Sequence, residues 1–395
     1  MLNHCNEDTV FPTLNPDNLK ILSPLGRGAK GVVFLVKEYE GVNQQWALKV
    51  ISKGVVEKRD DGNALGEYKR VCFERQVLSR FNHPLLPRLH GVIRTETLLG
   101  HAIDYCPGRD LNFVRKLQSE KMFSAETIRF YAAEIVLALE YLHNEGIAYR
   151  DLKPDNIMIQ GDGHIMLVDF DLSTRLPIPS PPPKSDQLKA SSRRRPRRAS
   201  RFKCWKSYDI VPDDTSSTDE SSPSSGKSNS FVGTEEYVAP EIIRGDWHGF
   251  EVDWWSFGIV LYEMLYGVTP FKGGNRKETF LKILSKEPEL VGEATSLRDL
   301  IRNLLIKDPA TRFGTAAIKG HDFFAGVMWE SIVQVARPPY IPPVVDRDGW
   351  GENNKNIADV EQFVQGIFAS KLSREVEDDA KAIPKPTDAD QFHVF

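Results

Sequence analysis

The stretch Tyr149-Arg150-Asp151-Leu152-Lys153-Pro154-Asp155-Asn156, followed by the apolar run Ile157-Met158-Ile159, constrains this chain more than any other. It places a carboxylate, an ammonium and an amide in one loop. Asp151 can orient a hydroxyl and accept its proton, Lys153 can neutralise a transferring phosphoryl group, and Asn156 can hold a metal ion. About 18 residues beyond Asp151, another apolar strand ends in Asp169-Phe170-Asp171.

Regions of different character flank this loop. Residues 19–52 alternate apolar and polar side chains around glycines and read as three strands with tight connections. Residues 66–81 bring Val71, Phe73 or Arg75, Val77, Leu78 and Phe81 near one helical face, and His83-Pro84 stops the pattern. Residues 89–105 fit two more strands. Beyond Pro107-Gly108 the pattern is mostly helical to about residue 335. Residues 124–144 are strongly amphipathic, with Ser124 as N-cap and Thr127 in the first turn. The chain reads as α+β, a small antiparallel β part ahead of a larger helical part. Its 395 residues, 41% of them hydrophobic, are enough for both.

Gly26, Gly28 and Gly31 have G-x-G-x-x-G spacing. That signal is weak alone: a dinucleotide-binding domain would open a helix here, whereas VVFLVKEY reads as a second strand. A glycine-rich hairpin lets backbone N–H groups approach phosphate oxygens, and a purely structural turn uses glycines too. On the next strand, Ala47-Leu48-Lys49-Val50 sets an ammonium among apolar neighbours, and a buried ammonium needs a partner. Glu74 is the best candidate and Glu67 the fallback; the alternative is a solvated strand lysine.

The series closes with Gly233-Thr234-Glu235-Glu236-Tyr237-Val238-Ala239-Pro240-Glu241 and Asp253-Trp254-Trp255-Ser256-Phe257-Gly258. In this order the motifs resemble those of eukaryotic protein kinases over residues 20–325. The resemblance implies a two-lobed protein kinase fold, ATP as substrate and Mg²⁺ as cofactor. Tyr149 before Arg150-Asp151, the segment KGHDFF (319–324) and the terminal Phe392-His393-Val394-Phe395 resemble the AGC group. Asp171 and the long insert before Gly233 resemble the plant AGC VIII subgroup. SPLGRGAKGVVFLV, EYKRV and AIDYCPG most resemble its oxidative-signal-inducible serine/threonine kinases.

By that resemblance Gly26, Gly28, Gly31, Val33 and Ala47 enclose the nucleotide, and Lys49 pairs with Glu74 and the phosphates. Ile103 stands behind the adenine, Asp104 and Cys106 give backbone contacts, and Asp110 lies near the ribose. Asp151 and Lys153 are catalytic, and Asn156 and Asp169 hold the metal. Asp110, Asp155 and Glu263 imply basic substrates, and Glu241 pairs with Arg302. The lobes span 19–106 and 107–324, between an N-terminal extension 1–18 and a tail 325–395. The position of Asp171 is usually Gly, whose backbone freedom includes φ > 0; Asp tolerates that region better than most residues. Asp171 is therefore expected to restrict the loop without abolishing metal binding. A scaffold without chemistry is the alternative, yet all the charged groups are present, so an active serine/threonine kinase is expected.

Residues 177–229 are rich in Pro, Ser and charge with no sustained apolar period, and disorder is expected there. Arg197-Arg198-Ala199-Ser200 suits autophosphorylation at Ser200. Ser230 matches the family's activation-loop phosphosite, where a phosphate would pair with Arg150. The basic run Arg193–Lys206 reads as an import-receptor patch, a contact for anionic lipid, or a solvated stretch. A formal net charge of −4 argues against nucleic-acid binding as the main function.

Residues 337–395 form a second irregular region. Its Phe392 and Phe395 imply docking beside the Glu74 helix, or in an upstream phosphoinositide-dependent kinase. Cys5, Cys72, Cys106 and Cys204 show no close pairing and no metal-ligand spacing, as expected of free thiols in a reducing compartment. No secretory signal or membrane-spanning stretch is legible. The cytoplasm is the expected location, with the nucleus or the periphery of the plasma membrane as alternatives.

Overall fold

The computed structural model describes residues 11–28, 31–38, 44–54, 64–118, 120–177, 233–334 and 356–366. The predicted insert beyond Pro177 lies outside them, with Ser200, Ser230, Phe392 and Phe395.

Alternation builds the small lobe. Strands β1 (Leu19–Arg27), β2 (Gly31–Glu38), β3 (Gln45–Ser52), β4 (Leu89–Arg94) and β5 (Leu98–Asp104) form an antiparallel sheet in the order β1-β2-β3-β5-β4. Period two puts Phe34, Val36, Leu48 and Val50 on a buried outer face and Val33, Ala47 and Lys49 on the opposite face, toward the cleft.

Two segments remote from each other in sequence close the outer face. Leu14 is buried there, and Thr13 bridges to Val92. A helical segment, 357–366, buries Val360 and Val364 on the same face, with the Phe363 ring edge-on to Phe34 at 5.9 Å. Thr97 Oγ1 donates to Glu361 Oε1 at 2.8 Å, and Thr95 Oγ1 donates to the same oxygen. Parts of the predicted extension 1–18 and tail 325–395 thus belong to the small-lobe core. The expectation of an irregular tail fails over 357–366, because these apolar residues have a face to cover.

Helix α1 (Ala64–Leu78) ends before the predicted residue 81. Phe81 lies in the turn beyond it and packs on Phe170, 4.9 Å between ring centroids. Arg75 Nη2 donates to Gly100 O at 3.1 Å, tying α1 to β5. Cys106 is buried and free, but Cys72 is disulfide-bonded. This corrects the expectation of four free thiols: wide spacing in sequence does not prevent distant segments from meeting.

The large lobe contains α2 (Leu111–Lys116), α3 (Ala125–Asn144), α4 (Pro240–Arg244), α5 (Glu251–Tyr266), α6 (Arg276–Ser285), α7 (Ser296–Leu304) and α8 (Thr315–Lys319). Short strands β6 (Ile147–Ala148), β7 (Ile157–Ile159), β8 (Ile165–Leu167) and β9 (Thr174–Arg175) carry the loops of the cleft. Helix α3 begins as predicted, with Ser124 Oγ accepting the Thr127 N–H at 3.2 Å. Helix α5 is apolar nearly all round and is buried accordingly. Among the described residues no helix is long and apolar enough to cross a membrane.

One predicted pair is corrected. Glu241 pairs with Arg312, not Arg302: Arg312 Nη1 and Nη2 donate to Glu241 Oε1 and Oε2 at 2.6 and 3.0 Å, with both residues buried. Helical phase gives the reason. Leu297, Leu300, Ile301 and Leu304 turn α7 toward the core. Arg302 is left exposed and pairs with Asp299 at 3.1 Å.

Candidate active site

A cavity of about 550 Å³ lies between the cleft face of the sheet and the large lobe, a size suited to a small-molecule ligand. The sheet contributes Gly26, Gly28, Gly31, Val33, Ala47 and Lys49, and α1 contributes Glu74. Ile103, Asp104, Cys106 and Asp110 come from β5 and the residues after it, and Asp151, Asp155, Asn156 and Asp169 from the large lobe. Among the described residues, the predicted site residues outside this wall are Lys153, which reaches Asp151, and Glu263, whose place is described below.

The three hairpin glycines do different work. A Cβ on Gly31 would meet Val50 O at 2.3 Å, so Gly31 serves the close approach of β2 and β3. A Cβ on Gly26 would meet nothing within 4 Å, and one on Gly28 only Gly31 O at 3.7 Å. The space beside these two is open to a ligand.

Sheet register places Lys49 opposite Val33 on β2 and His101 on β5. Its Nζ lies 2.8 Å from Glu74 Oε1, 2.8 Å from Asp169 Oδ1 and 3.7 Å from Asp171 Oδ1. Glu74 is therefore the partner and the fallback Glu67 is not needed. Burial opposes the charge on Lys49, but Glu74, Asp169 and Asp171 outweigh it and hold the ammonium well above its usual pKa. Burial likewise opposes the charge of Asp169, and the nearby Lys49 overcomes it, so this carboxyl stays below its usual range.

Asp169 has φ +62°, the left-handed conformation that Asp tolerates, and Asp171 is not among the positive-φ residues. In this conformation the Asp171 side chain costs no glycine-type backbone strain, which corrects the expected reason for its effect. The loop is anchored by Phe170, whose ring lies 4.9 Å from Phe81 and 5.2 Å from Tyr149. Tyr149 OH donates to Val168 O.

The Asp151 loop rests on Asp253. That carboxylate accepts the N–H groups of Tyr149 and Arg150 at 2.9 and 2.7 Å and lies 2.8 Å from His143 Nε2. These bonds support φ +65° at Arg150. Asp151 Oδ2 accepts from Lys153 Nζ at 2.8 Å and from Asn156 Nδ2 at 2.9 Å. Thr234 Oγ1 donates to Asp151 Oδ1 at 2.9 Å and accepts from Lys153 Nζ at 2.9 Å. With its nitrogen turned to Asp151, Asn156 has its amide oxygen to offer a cation. That oxygen and the Asp169 carboxylate are hard donors suited to Mg²⁺, and Glu74, Asp169 and Asp171 present ligand atoms within 4.8 Å of one another.

Of the acids expected near substrate, Asp155 is exposed and accepts from Asn112 Nδ2 at 2.9 Å. Asp110 caps α2 by accepting the Phe113 N–H at 2.7 Å. Glu263 is buried and already engaged by Arg115 Nη2 at 2.8 Å and by the Tyr237 hydroxyl. Burial raises its carboxyl pKa despite those partners. Asp104 accepts the Arg88 N–H at 2.8 Å and lies 2.7 Å from His90 Nε2.

Sequence reasoning missed Thr234, Arg115 and His101. His101 is buried in the cavity wall with Nε2 lacking a hydrogen bond, 4.0 Å from Glu74 Oε1. Its signal was strand parity: it lies two residues before Ile103 and so faces the same side.

Comparison with known proteins agrees with this geometry. The family model described as "Protein kinase domain" matches residues 19–191 and 216–324. The chain is 58% identical over 371 residues to serine/threonine-protein kinase OXI1 of Arabidopsis thaliana, covering 92% of this chain and 88% of that protein. It is 43% identical over 364 residues to serine/threonine-protein kinase UCN of the same plant, covering 86% and 87%. With serine/threonine-protein kinase AGC1-5, also from Arabidopsis thaliana, the identity is 39% over 361 residues, covering 85% and 61%.

Proposed function

The chain belongs to the protein kinase domain family, and from that premise we infer that its cleft transfers the γ-phosphoryl group of ATP to serine or threonine hydroxyls of proteins. The observation that carries this reading is convergence. Lys49, Glu74 and Asp169 meet at 2.8 Å contacts in the same cavity wall as Asp151 and Asn156. The scaffold alternative has no support from a site with every charged group in place.

Chemistry follows from the positions. Gly26 and Gly28 leave room for phosphates beneath the hairpin, and Lys49, held by Glu74, balances their charge. Asp151 Oδ1, which accepts from Thr234, orients the substrate hydroxyl and takes its proton as the oxygen attacks phosphorus. The bond from the γ-phosphorus to the bridging oxygen breaks, and ADP leaves with that electron pair. Lys153 neutralises charge on the moving group. Mg²⁺, held by Asp169 and Asn156, supplies charge neutralisation along the phosphates when bound.

We further propose a basophilic preference resting on Asp155 and Asp110, with Glu263 already committed to Arg115. Activation by phosphate at Ser230, autophosphorylation at Ser200, and docking of Phe392 and Phe395 on an upstream phosphoinositide-dependent kinase belong to the same proposal. So do an anionic-lipid or import-receptor contact at the basic run, and a cytoplasmic location. The test is radiolabelled phosphate transfer from ATP to a positional peptide library in the presence of Mg²⁺. Wild type should phosphorylate Ser/Thr peptides with upstream Arg, and Asp151→Asn should lose about 10²–10⁴ in rate. Inert wild type, or an Asp151→Asn variant of equal rate, refutes the assignment.

A further inference from the structure

Glu74 is held through one of its two oxygens. Oε1 accepts from Lys49 Nζ at 2.8 Å and from the Phe170 N–H at 3.4 Å. Oε2 is buried and accepts no hydrogen bond among the described residues. A second group beside the same carboxylate is in the same condition. His101, on β5 directly opposite Lys49 in the sheet register, is 1% exposed, and its Nε2 makes no hydrogen bond. That nitrogen lies 4.0 Å from Glu74 Oε1. A buried acceptor and a buried ring nitrogen left unpaired have each lost their hydration without return, so both gain by closing the gap. The separation exceeds a hydrogen bond by about 1 Å, within reach of a small turn of the Glu74 side chain.

Charge decides how the two can pair. A neutral imidazole carries one N–H, and its other nitrogen presents a lone pair. A lone pair at Nε2 would face the carboxylate with like charge, so the tautomer with its proton on Nε2 is favoured there. Burial, then Lys49 and Arg75, keep the ring from taking a second proton. A cationic ring would compete with Lys49 for Glu74, whereas a neutral donor does not. We propose that His101 is a positioning residue, a neutral Nε2–H donor that steadies the Glu74 carboxylate for Lys49 from the sheet side. The inference rests on the kinase reading above. Lys49 and His101 sit on adjacent strands, β3 and β5. A Glu74 tied to both is already in place when the Lys49 ammonium meets the nucleotide phosphates, and binding need not pay to order it.

Full-length protein labelled with ¹⁵N-histidine tests the pairing directly. The His101 ring, identified among nine histidines by its loss in His101→Gln, should be neutral at pH 7 with its proton on Nε2. Binding of a fluorescent ATP analogue with Mg²⁺ is followed in parallel. It should weaken about fivefold in His101→Leu, which fills the space and has no donor. His101→Gln, whose amide can donate from the same place, should stay within about twofold of wild type. In a Glu74→Met background, where the acceptor is gone, His101→Leu should change affinity by less than about twofold. A ring protonated at Nδ1 alone, or at both nitrogens, overturns the proposal. So does His101→Leu at wild-type affinity, His101→Gln as weak as His101→Leu, or a loss of the same size in the Glu74→Met background. Wild type that neither binds nucleotide nor transfers phosphate would instead refute the kinase reading, with the ring spectrum still reporting on the pairing.

Discussion

Replacing Arg312 by Met should be among the most damaging single changes in the large lobe. The guanidinium makes two short bonds to Glu241, a third to Glu251 O at 2.8 Å and a fourth, through Nε, to Ile306 O at 3.0 Å. It also lies over the Trp255 ring, 5.2 Å from its centroid. Arg312 and Glu241 side chains are 0% and 2% exposed, so water cannot replace what is lost. Breaking a buried ion pair on one side costs about 3–5 kcal/mol, chiefly because the remaining carboxylate has no partner. At about 2–4 °C per kcal/mol for a lobe of this size, melting should fall by roughly 6–20 °C. Arg302→Met is the matched control. Its partner Asp299 and Arg302 itself are both more than half exposed, and the change should stay within about 0.5 kcal/mol. Thermal unfolding of the full-length variants side by side decides. Equal losses in the two variants, or a loss under about 1 kcal/mol for Arg312→Met, would refute the pairing argument.

Other consequences can be measured with the same protein. Burial, then Lys49 and Arg75, hold the His101 imidazole well below its usual pKa. Below pH ~6.5 the unfolded chain therefore binds a proton that the folded chain refuses, and stability falls by up to about 1.4 kcal/mol per pH unit. His101→Leu should lose less stability than wild type between pH 7 and 5, and parallel pH profiles would contradict this. Val364→Asp places a charge at a fully buried position on the outer sheet face and should cost at least about 3 kcal/mol in urea unfolding. A cost under about 1 kcal/mol would mean that 357–366 does not pack there. Mass spectrometry of enzyme incubated with ATP should find phosphate on Ser230 and Ser200, and active protein unmodified at Ser230 would remove that switch.

Much of this arrangement was legible because local chemistry and global position agree. Alternation in 19–52 specified the three hairpin strands, and Ser124 with Thr127 specified the start of α3. Lys49 demanded an acid, and Glu74 is there. What escaped reading depends on which side of an element meets the core. Arg302 and Arg312 both follow Glu241, and only the apolar phase of Leu297, Leu300, Ile301 and Leu304 tells that Arg302 points outward. Glu263 reads as an open acid until Arg115 and Tyr237 are brought against it by folding. Ile357, Val360, Phe363 and Val364 carry helical spacing, but they sit in a region whose Pro-rich opening reads as irregular. Left-handed φ at Asp169 has no signature beyond the tolerance of its residue type.

The segment 357–366 has a consequence for how the molecule is made. Thr97 and Glu361, 264 positions apart, are bonded across the outer face of the first lobe to emerge from the ribosome. Domains generally mature in the order of their synthesis. Here the earlier-translated lobe cannot finish its hydrophobic seal until the whole large lobe has been translated. Until then that face lacks the cover that Val360, Phe363 and Val364 give it in the folded protein.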